Sequence, residues 1–241
     1  GNVIFDILTG DNIRSEAGVI ENNNEINIFI GSEDGFLYGI DTSGNNLENW
    51  PQYIGDVKIN SSPVFADIDN DGNAEIITAT EDGLLIIYHL DGTPYSNFPI
   101  QLNNGFISSP TIIDIDNDDD LEIIFFGYTT SGDVFVINHD GSDLENFPVQ
   151  LNEKVLKGGA IYDIDNNGKD DIVVATENDK SIFIIYDNGE FVNIFTSNDK
   201  FKSAPSILDN NGNITIVAGD EGGIFYGVSP TGNLEFNVIT G

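Results

Sequence analysis

Short apolar runs alternate with clusters of Asp, Asn and Gly along almost the whole chain. Stretches such as "EIITATEDGLLIIYHLDG", "EIIFFGYTTSGDVFVINHDG", "DIVVATENDKSIFIIYDNG" and "ITIVAGDEGGIFYGVSPTG" each contain two β-branched or aromatic runs separated by a turn sequence. That pattern predicts strands joined as hairpins. No stretch carries the 3.6-residue period of an amphipathic helix.

The pattern also recurs on a longer scale. "DIDNDGNAEII" at Asp67 returns as "DIDNDDDLEII" at Asp114 and "DIDNNGKDDIV" at Asp163, spacings of 47 and 49 residues. Weaker copies stand at Val19 ("VIENNNEINIF") and Ile207 ("ILDNNGNITIV"). Small residues and proline precede the motif, as in "SSPVFADID" and "SSPTIIDID". Most units close on an aromatic–proline pair ("ENWPQYI", "SNFPIQL", "ENFPVQL"), which suits an outer strand because proline donates no hydrogen bond.

Four short strands per unit of about 47 residues is the signature of a β-propeller blade. The expected fold is therefore an all-β propeller of four-stranded antiparallel blades, one domain over residues 1–241. The repeats are expected at 11–57, 58–104, 105–153, 154–198 and 199–241. Ser61, Ser62, Ser108, Ser109, Gly158 and Gly159 are small enough for crowded inner strands. Residues 1–10, "GNVIFDILTG", echo residues 232–241, "GNLEFNVITG", and so predict one extra outer strand, of a preceding or closing blade. Either the parent protein has more blades, or the spare strand packs elsewhere or completes a blade of a neighbouring molecule.

Composition narrows the function. The 241 residues include 8 Lys+Arg against 41 Asp+Glu, a net charge of −33, while 39% apolar residues suffice for a core. Such a chain repels phosphate backbones and anionic lipid heads, so nucleic acid and membrane surfaces are poor partners, and neither nucleic-acid binding nor membrane insertion is expected. No apolar run approaches the ~18–20 residues of a membrane span. Divalent cations are the ions it should attract. With no cysteine there are no disulfides and no thiolate metal sites. A chain with no methionine reads as a processed product or a piece of a longer protein, and "GNVIFDILTG" lacks the basic start of a signal peptide. Acidity, Asn-rich loops and the lack of cysteine suit a secreted protein in a calcium-containing or salty medium.

The aspartate loops carry the candidate chemistry. Counting Asp67 as position 1, carboxylates fall at positions 1, 3, 5 and 9 (Asp67, Asp69, Asp71 and Glu75). Gly72 at position 6 permits a sharp turn, and Asn73 at position 7 offers a carbonyl. Hard oxygens converging from one short loop suit Ca²⁺, which takes six to eight of them. An EF-hand would need a bidentate Glu at position 12 and flanking helices; position 12 is Thr78, Phe125 or Val174, and strands follow.

A D-x-D-x-D-G-x-x-[DE] loop between strands, repeated at this interval, resembles the FG-GAP/VCBS repeat family, which includes integrin α-subunit propellers, bacterial surface proteins, some lectins and polysaccharide lyases. The resemblance implies calcium held by positions 1, 3, 5 and 9 and the position-7 carbonyl. It gives three sites: Asp67, Asp69, Asp71, Asn73 and Glu75; Asp114, Asp116, Asp118, Asp120 and Glu122; Asp163, Asp165, Asn167, Lys169 and Asp171. Asp119 replaces the glycine in the second site. The third, with Asn167 neutral and Lys169 offering only its carbonyl, is expected to bind most weakly. The copy at Val19 keeps Glu21, Asn23 and Asn27 but lacks the glycine. The copy at Ile207 keeps Asp209 and Asn211 but is two residues shorter, lacks position 1 and has Thr215 at position 9. Both are expected to hold no calcium and to be simple turns closed by their own Asn side chains. Repulsion among the acids of each loop implies that chelation lowers thermal stability.

Repetition argues against an enzyme: the same acids recur in three successive units, whereas a catalytic carboxylate pair is unique. His89 and His139 stand near turns without a nucleophile context. Phe36, Tyr38, Tyr88, Tyr186 and Tyr226 belong to strands of this type; aromatics of such strands suit gap filling between blades, although such rings also stack on sugars. Asn60-Ser61-Ser62 and Asn213-Ile214-Thr215 match the glycosylation pattern. The expected function is a non-catalytic, calcium-stabilised extracellular binding or adhesion propeller with a protein or glycan ligand. The alternatives are a lectin propeller or the accessory propeller of a polysaccharide-degrading enzyme.

Overall fold

The computed structural model describes residues 2–129 and 131–240. Twenty strands form five antiparallel sheets, each a four-stranded meander of consecutive strands. The first sheet holds β1 (Gly18–Asn22), β2 (Glu25–Gly31), β3 (Phe36–Asp41) and β4 (Gln52–Tyr53). The second holds β5 (Val64–Ala66), β6 (Glu75–Ala79), β7 (Leu84–His89) and β8 (Ile100–Gln101). The third holds β9 (Thr111–Ile113), β10 (Glu122–Phe126), β11 (Asp133–Ile137) and β12 (Val149–Gln150). The fourth is β13 (Gly159–Tyr162), β14 (Asp171–Ala175), β15 (Ser181–Ile185) and β16 (Phe191–Thr196); the fifth is β17 (Ser206–Asn210), β18 (Asn213–Gly219), β19 (Ile224–Val228) and β20 (Leu234–Ile239). No described residue is helical.

The chain divides into two compact units, Gly1–Pro110 with His139–Gly141, and Thr111–Asn138 with Ser142–Gly241. In the first, Phe29, Leu37, Trp50, Ile59 and Ile76 form a buried cluster flanked by Phe65 and Tyr88. In the second, one cluster gathers Phe126, Val134, Phe147, Ile172 and Phe183, and another Phe201, Ile216, Tyr226 and Val228. Strands β6, β10 and β14 are buried along their whole length, which is why they read as unbroken apolar runs rather than alternating ones. Burying one such Ile or Phe contributes roughly 1.5–3 kcal/mol.

Proline sets where pairing begins. Ser61, Ser62, Ser108 and Ser109 were expected in the inner strands, but they lie just before β5 and β9. Pro63 and Pro110 interrupt the ladder there, since neither has an N–H to give. Ser61 is nevertheless fully buried, and its carbonyl accepts the Thr78 hydroxyl at 3.0 Å. The aromatic–proline pairs act likewise at the outer edge. Trp50, Phe98 and Phe147 are buried, each precedes a cis proline, and β4, β8 and β12 are only two residues long. Where no proline intervenes, β16 and β20 extend to six. The Asn before each ring (Asn49, Asn97, Asn146) takes a positive φ of 64°, 68° or 71°. Asn49 and Asn97 use their amides to bind the Asp91 and Asp140 carbonyls, at 3.0 and 3.1 Å, and the Trp50 indole donates to Leu90 at 3.1 Å.

Residues 2–9, the expected extra strand, join no described sheet. They still alternate like a strand: Phe5, Ile7 and Thr9 are half-buried, while Ile4, Asp6 and Leu8 are exposed.

Candidate metal centre

Each of the three acidic motifs is the eight-residue connection between the first and second strand of its sheet: 67–74, 114–121 and 163–170. The register pairs Ala66 with Glu75, Ile113 with Glu122 and Tyr162 with Asp171. The position-9 acid is therefore the first residue of the central strand and lies under its own loop.

The same backbone scaffold is built three times. Position 1 gathers two amides: Asp67 accepts from Asp71 and Gly72 at 3.0 and 2.9 Å. Asp114 accepts from Asp118 and Asp119, both at 3.1 Å, and Asp163 from Asn167 and Gly168 at 3.0 and 2.9 Å. Position 3 takes the position-5 amide in two loops, at Asp69 (3.2 Å) and Asp165 (3.0 Å). Position 5 takes the position-7 amide: Asp71 from Asn73, Asp118 from Asp120 and Asn167 from Lys169, at 2.7, 3.0 and 2.7 Å. Position 9 reaches back to position 2: Glu75, Glu122 and Asp171 accept from Ile68, Ile115 and Ile164 at 3.2, 3.0 and 2.9 Å. Carboxylate oxygens keep further lone pairs after one such bond, so these contacts orient the acids without using them up.

Side-chain oxygens of Asp67, Asp69 and Asp71 lie within 4.8 Å of one another, as do those of Asp114, Asp116 and Glu122, and those of Asp163, Asp165 and Asp171. In the first loop the mutually close set is positions 1, 3 and 5, and Glu75 turns instead toward His89, whose Nδ1 lies 3.1 Å from Oε1. In the other two the set is positions 1, 3 and 9. Asn73, Asp120 and Lys169 enter through the backbone amides described above. These oxygen-only sets fit a hard divalent cation, and in the second Asp116 Oδ1 is buried with no hydrogen-bond partner, an acceptor left open to one.

The electrostatics agree. Glu75, Glu122 and Asp171 are essentially inaccessible to solvent. Burial drives the Glu122 carboxyl up to about 7, against the pull of the Ile115 amide, and Asp116, Asp118 and Asp114 add repulsion. Burial likewise raises Asp171 to about 6, with Asp165 and Asp187 adding to it. Glu75 is raised by burial but held back by the Ile68 amide and His89. Asp116 is raised by burial and by Asp118.

Several contributors were not singled out from sequence. Position 4 is Asn in every full motif, and Asn70, Asn117 and Asn166 all sit at positive φ, 56° to 60°. Asn is the non-glycine residue best suited to that region, so the recurring fourth-position Asn was the available signal. Position 6 also lies there, at 92° for Gly72 and Gly168 and 74° for Asp119. The Asn117 amide donates to the Gly168 carbonyl, tying the second loop to the third. Asp187 accepts from Asn167 Nδ2 at 3.0 Å and gives its own amide to Asp171 at 3.3 Å.

The outer copies are two-residue hairpin turns. Asn22 pairs with Glu25 around Asn23 and Asn24 (φ 53° and 64°), and Asn210 with Asn213 around Asn211 and Gly212 (φ 56° and 83°). Two consecutive positive φ values favour Asn and Gly. Glu21 and Asn27 lie in the flanking strands. Asp209, rather than an Asn side chain, closes the second turn, accepting the Gly212 amide at 2.7 Å and the Tyr162 hydroxyl at 2.9 Å. Clefts of about 330 and 260 Å³ open beside the loops, the first lined by Asn22, Asn73, His89 and Thr93, the second by Asp116, Asn146, Lys169 and Asp187.

Sheets of this kind define a β-propeller, and comparison with solved structures agrees. The WD40 β-propeller domain of Doa1 superimposes with a TM-score of 0.62 at 15% identity, over 95% of this chain and 69% of that one. The V. cholerae biofilm matrix protein Bap1 gives 0.67 at 14%, over 94% and 39%. BBS1N, crystallised with ARL6DN, gives 0.64 at 16%, over 96% and 70%. The chain thus spans well under half of Bap1. Residues 67–125, which contain the first two acidic loops, match the family model described as an FG-GAP-like repeat. No curated protein sequence matches it.

Proposed function

We propose that this chain is a calcium-stabilised, non-catalytic propeller that binds other macromolecules outside the cell. The observation that carries the reading is the threefold recurrence of one oxygen-lined loop, with a buried acid beneath it that burial first, and the surrounding acids after it, push up. Calcium relieves that repulsion. Millimolar external calcium saturates sites of ordinary extracellular affinity, about 10⁻⁴–10⁻³ M, whereas the cytosol does not. The biofilm matrix role in the name of Bap1 and the ARL6DN complex of BBS1N accord with a propeller acting as a binding surface.

The lectin alternative gains little from the clefts. Their linings mix amide, carboxylate and hydroxyl groups with Ala74 and Leu90 in the first and Leu144 and Lys169 in the second, and His89 is the ring at the first. Two of the aromatics suited to stacking on sugars are engaged by other rings: half-buried Tyr88 lies 6.0 Å from Trp50 and buried Tyr226 lies 4.9 Å from Phe195, centroid to centroid. A glycan array with and without calcium separates the two readings, because repeated sugar binding independent of calcium favours the lectin. The metal reading is tested by calorimetric titration of the chelated protein with Ca²⁺, with thermal unfolding alongside. Three bound equivalents and a melting temperature that rises on binding are expected; an unchanged melting temperature with no heat of binding defeats the proposal.

A further inference from the structure

Residues 2–9 are laid out as a strand, yet the backbone of residues 2–8 hydrogen-bonds to no described residue. Their inward face is well placed. Phe5, Ile7 and Thr9 line an apolar cavity of about 270 Å³ with Ile28, Ile30 and Tyr38 of the first sheet. Gly44 lies so close to Phe5 that a Cβ there would meet the phenyl ring at 2.8 Å. A Cβ added at Gly232 would likewise meet the carbonyl oxygen of Ile194 in β16, at 2.5 Å. In both cases a third-to-fourth-strand turn rests on an outermost strand, and residues 2–9 fill that role for the first sheet. At the segment's end, the Gly10 amide is held by Asp34 at 2.6 Å. Outward, Ile4 and Leu8 are 86% and 96% exposed.

The related stretch at 232–241 shows what such a segment does when its partner strand is at hand. There the Ser229 amide donates to Asn233 and the Gly232 amide to Ser229, both at 2.9 Å, turning β19 into β20. The two strands then pair from Val228 opposite Leu234 to Ile224 opposite Ile239, with Phe236 opposite Gly227. Gly1 and Asn2 repeat Gly232 and Asn233 in sequence, and Phe5 repeats Phe236.

We infer that residues 2–9 are the fourth strand of a further sheet. Their free edge pairs, antiparallel, with the third strand of another repeat of this kind, joined to them through a short turn. The occupant is a β19-like strand with a small residue opposite Phe5, as Gly227 stands opposite Phe236. An apolar strand with an unpaired edge is a template for such addition, and tethering through a short turn supplies an effective concentration that a free strand lacks.

The test fuses a second copy of residues 199–231 directly ahead of Gly1, leaving residues 1–241 intact, and follows amide hydrogen exchange. In the unfused chain the amides of residues 3–8 exchange near the solvent rate; in the fusion they gain protection of about 100-fold or more. A register measurement accompanies it, made clean by the lack of native cysteine. Val3→Cys with Val228→Cys in the added copy forms a disulfide faster than Val3→Cys with Ile224→Cys. Unchanged exchange at residues 3–8, or equal cross-linking of the two pairs, overturns the inference. Protection in the unfused chain that grows with protein concentration also overturns it, by assigning the edge to another molecule.

Discussion

The first-to-second-strand connection is made in two ways in this chain, and the contrast isolates what the acids do. In the second, third and fourth sheets it is an eight-residue loop whose carboxylates converge; in the first and fifth it is a two-residue turn of Asn-Asn or Asn-Gly. Both close an antiparallel pair, so the long loop is not required for the hairpin. Its extra residues bring like charges together over a buried acid, which destabilises the loop on its own. The two-residue turns carry no such penalty and satisfy their backbone locally, as Asp209 does for Gly212.

Exchanging one kind of connection for the other should produce the largest effect. Replacing residues 67–74 by Asn-Gly gives the second sheet the connection of the fifth, with Ala66 and Glu75 still paired around it. The variant is expected to fold, to bind two calcium ions instead of three, and to gain less from calcium in thermal unfolding. At a hundredfold excess over Kd one site contributes about 2.7 kcal/mol, roughly 5–10 °C in a protein of this size. Retention of three equivalents would show that the loop is only a surface turn.

Much of this contrast was legible beforehand. The periodic Asp motifs marked the three long loops, and the missing acids at Val19 and Ile207 marked the two turns. The five sheets followed from recurring pairs of apolar runs. What escaped was longer-range. Position 9 could be read as an acid, but not as one that turns to His89 in the first loop and stays with positions 1 and 3 in the others, because His89 arrives from β7. The serines before Pro63 and Pro110 read as strand because their size suits crowding, while the proline that delays pairing acts through a hydrogen bond it cannot make. For residues 2–9 the echo of 232–241 marked an outer strand, but not the turn it supports, because the packing of Phe5 against Gly44 is a contact between distant residues.

A second, smaller effect tests the buried acid without altering the loop. In ion-free protein the folded pKa of Glu122, about 7, lies above the unfolded value of about 4.3. The folded state therefore holds the extra proton, and its stabilising contribution is complete below about pH 4 and lost as pH rises through 7. Asp171, at about 6, acts in the same direction over a lower window. Chelated protein should thus be more stable at pH 5 than at pH 8, and calcium, which needs the carboxylates ionised, should reverse that order. Glu122→Gln removes one charge while keeping an oxygen for the Ile115 amide. It should raise ion-free stability at pH 8 by on the order of 1–3 kcal/mol and weaken calcium binding at the second loop. Denaturant unfolding at both pH values checks it; equal pH slopes in variant and parent would remove Glu122 from the account.

The smallest effect concerns position 6, where the three loops differ from one another. Gly72 and Gly168 adopt φ 92° without strain, and a Cβ at either would meet nothing within 4 Å. Asp119 holds φ 74°, in a region that L-residues other than Asn and Asp seldom enter. Its amide still donates to Asp114, so the backbone scaffold survives the substitution at an internal cost. Asp119→Gly relieves that cost and one negative charge, offset by the greater freedom of glycine in the unfolded chain. A net gain of about 0.5 kcal/mol is expected in chelated protein. Gly72→Ala runs the same comparison backwards: with no neighbour to clash, its loss, about 1 kcal/mol, measures the backbone conformation alone. If Gly72→Ala were neutral, the positive φ at position 6 would not be a requirement of the loop, and the glycine of the repeat would need another explanation.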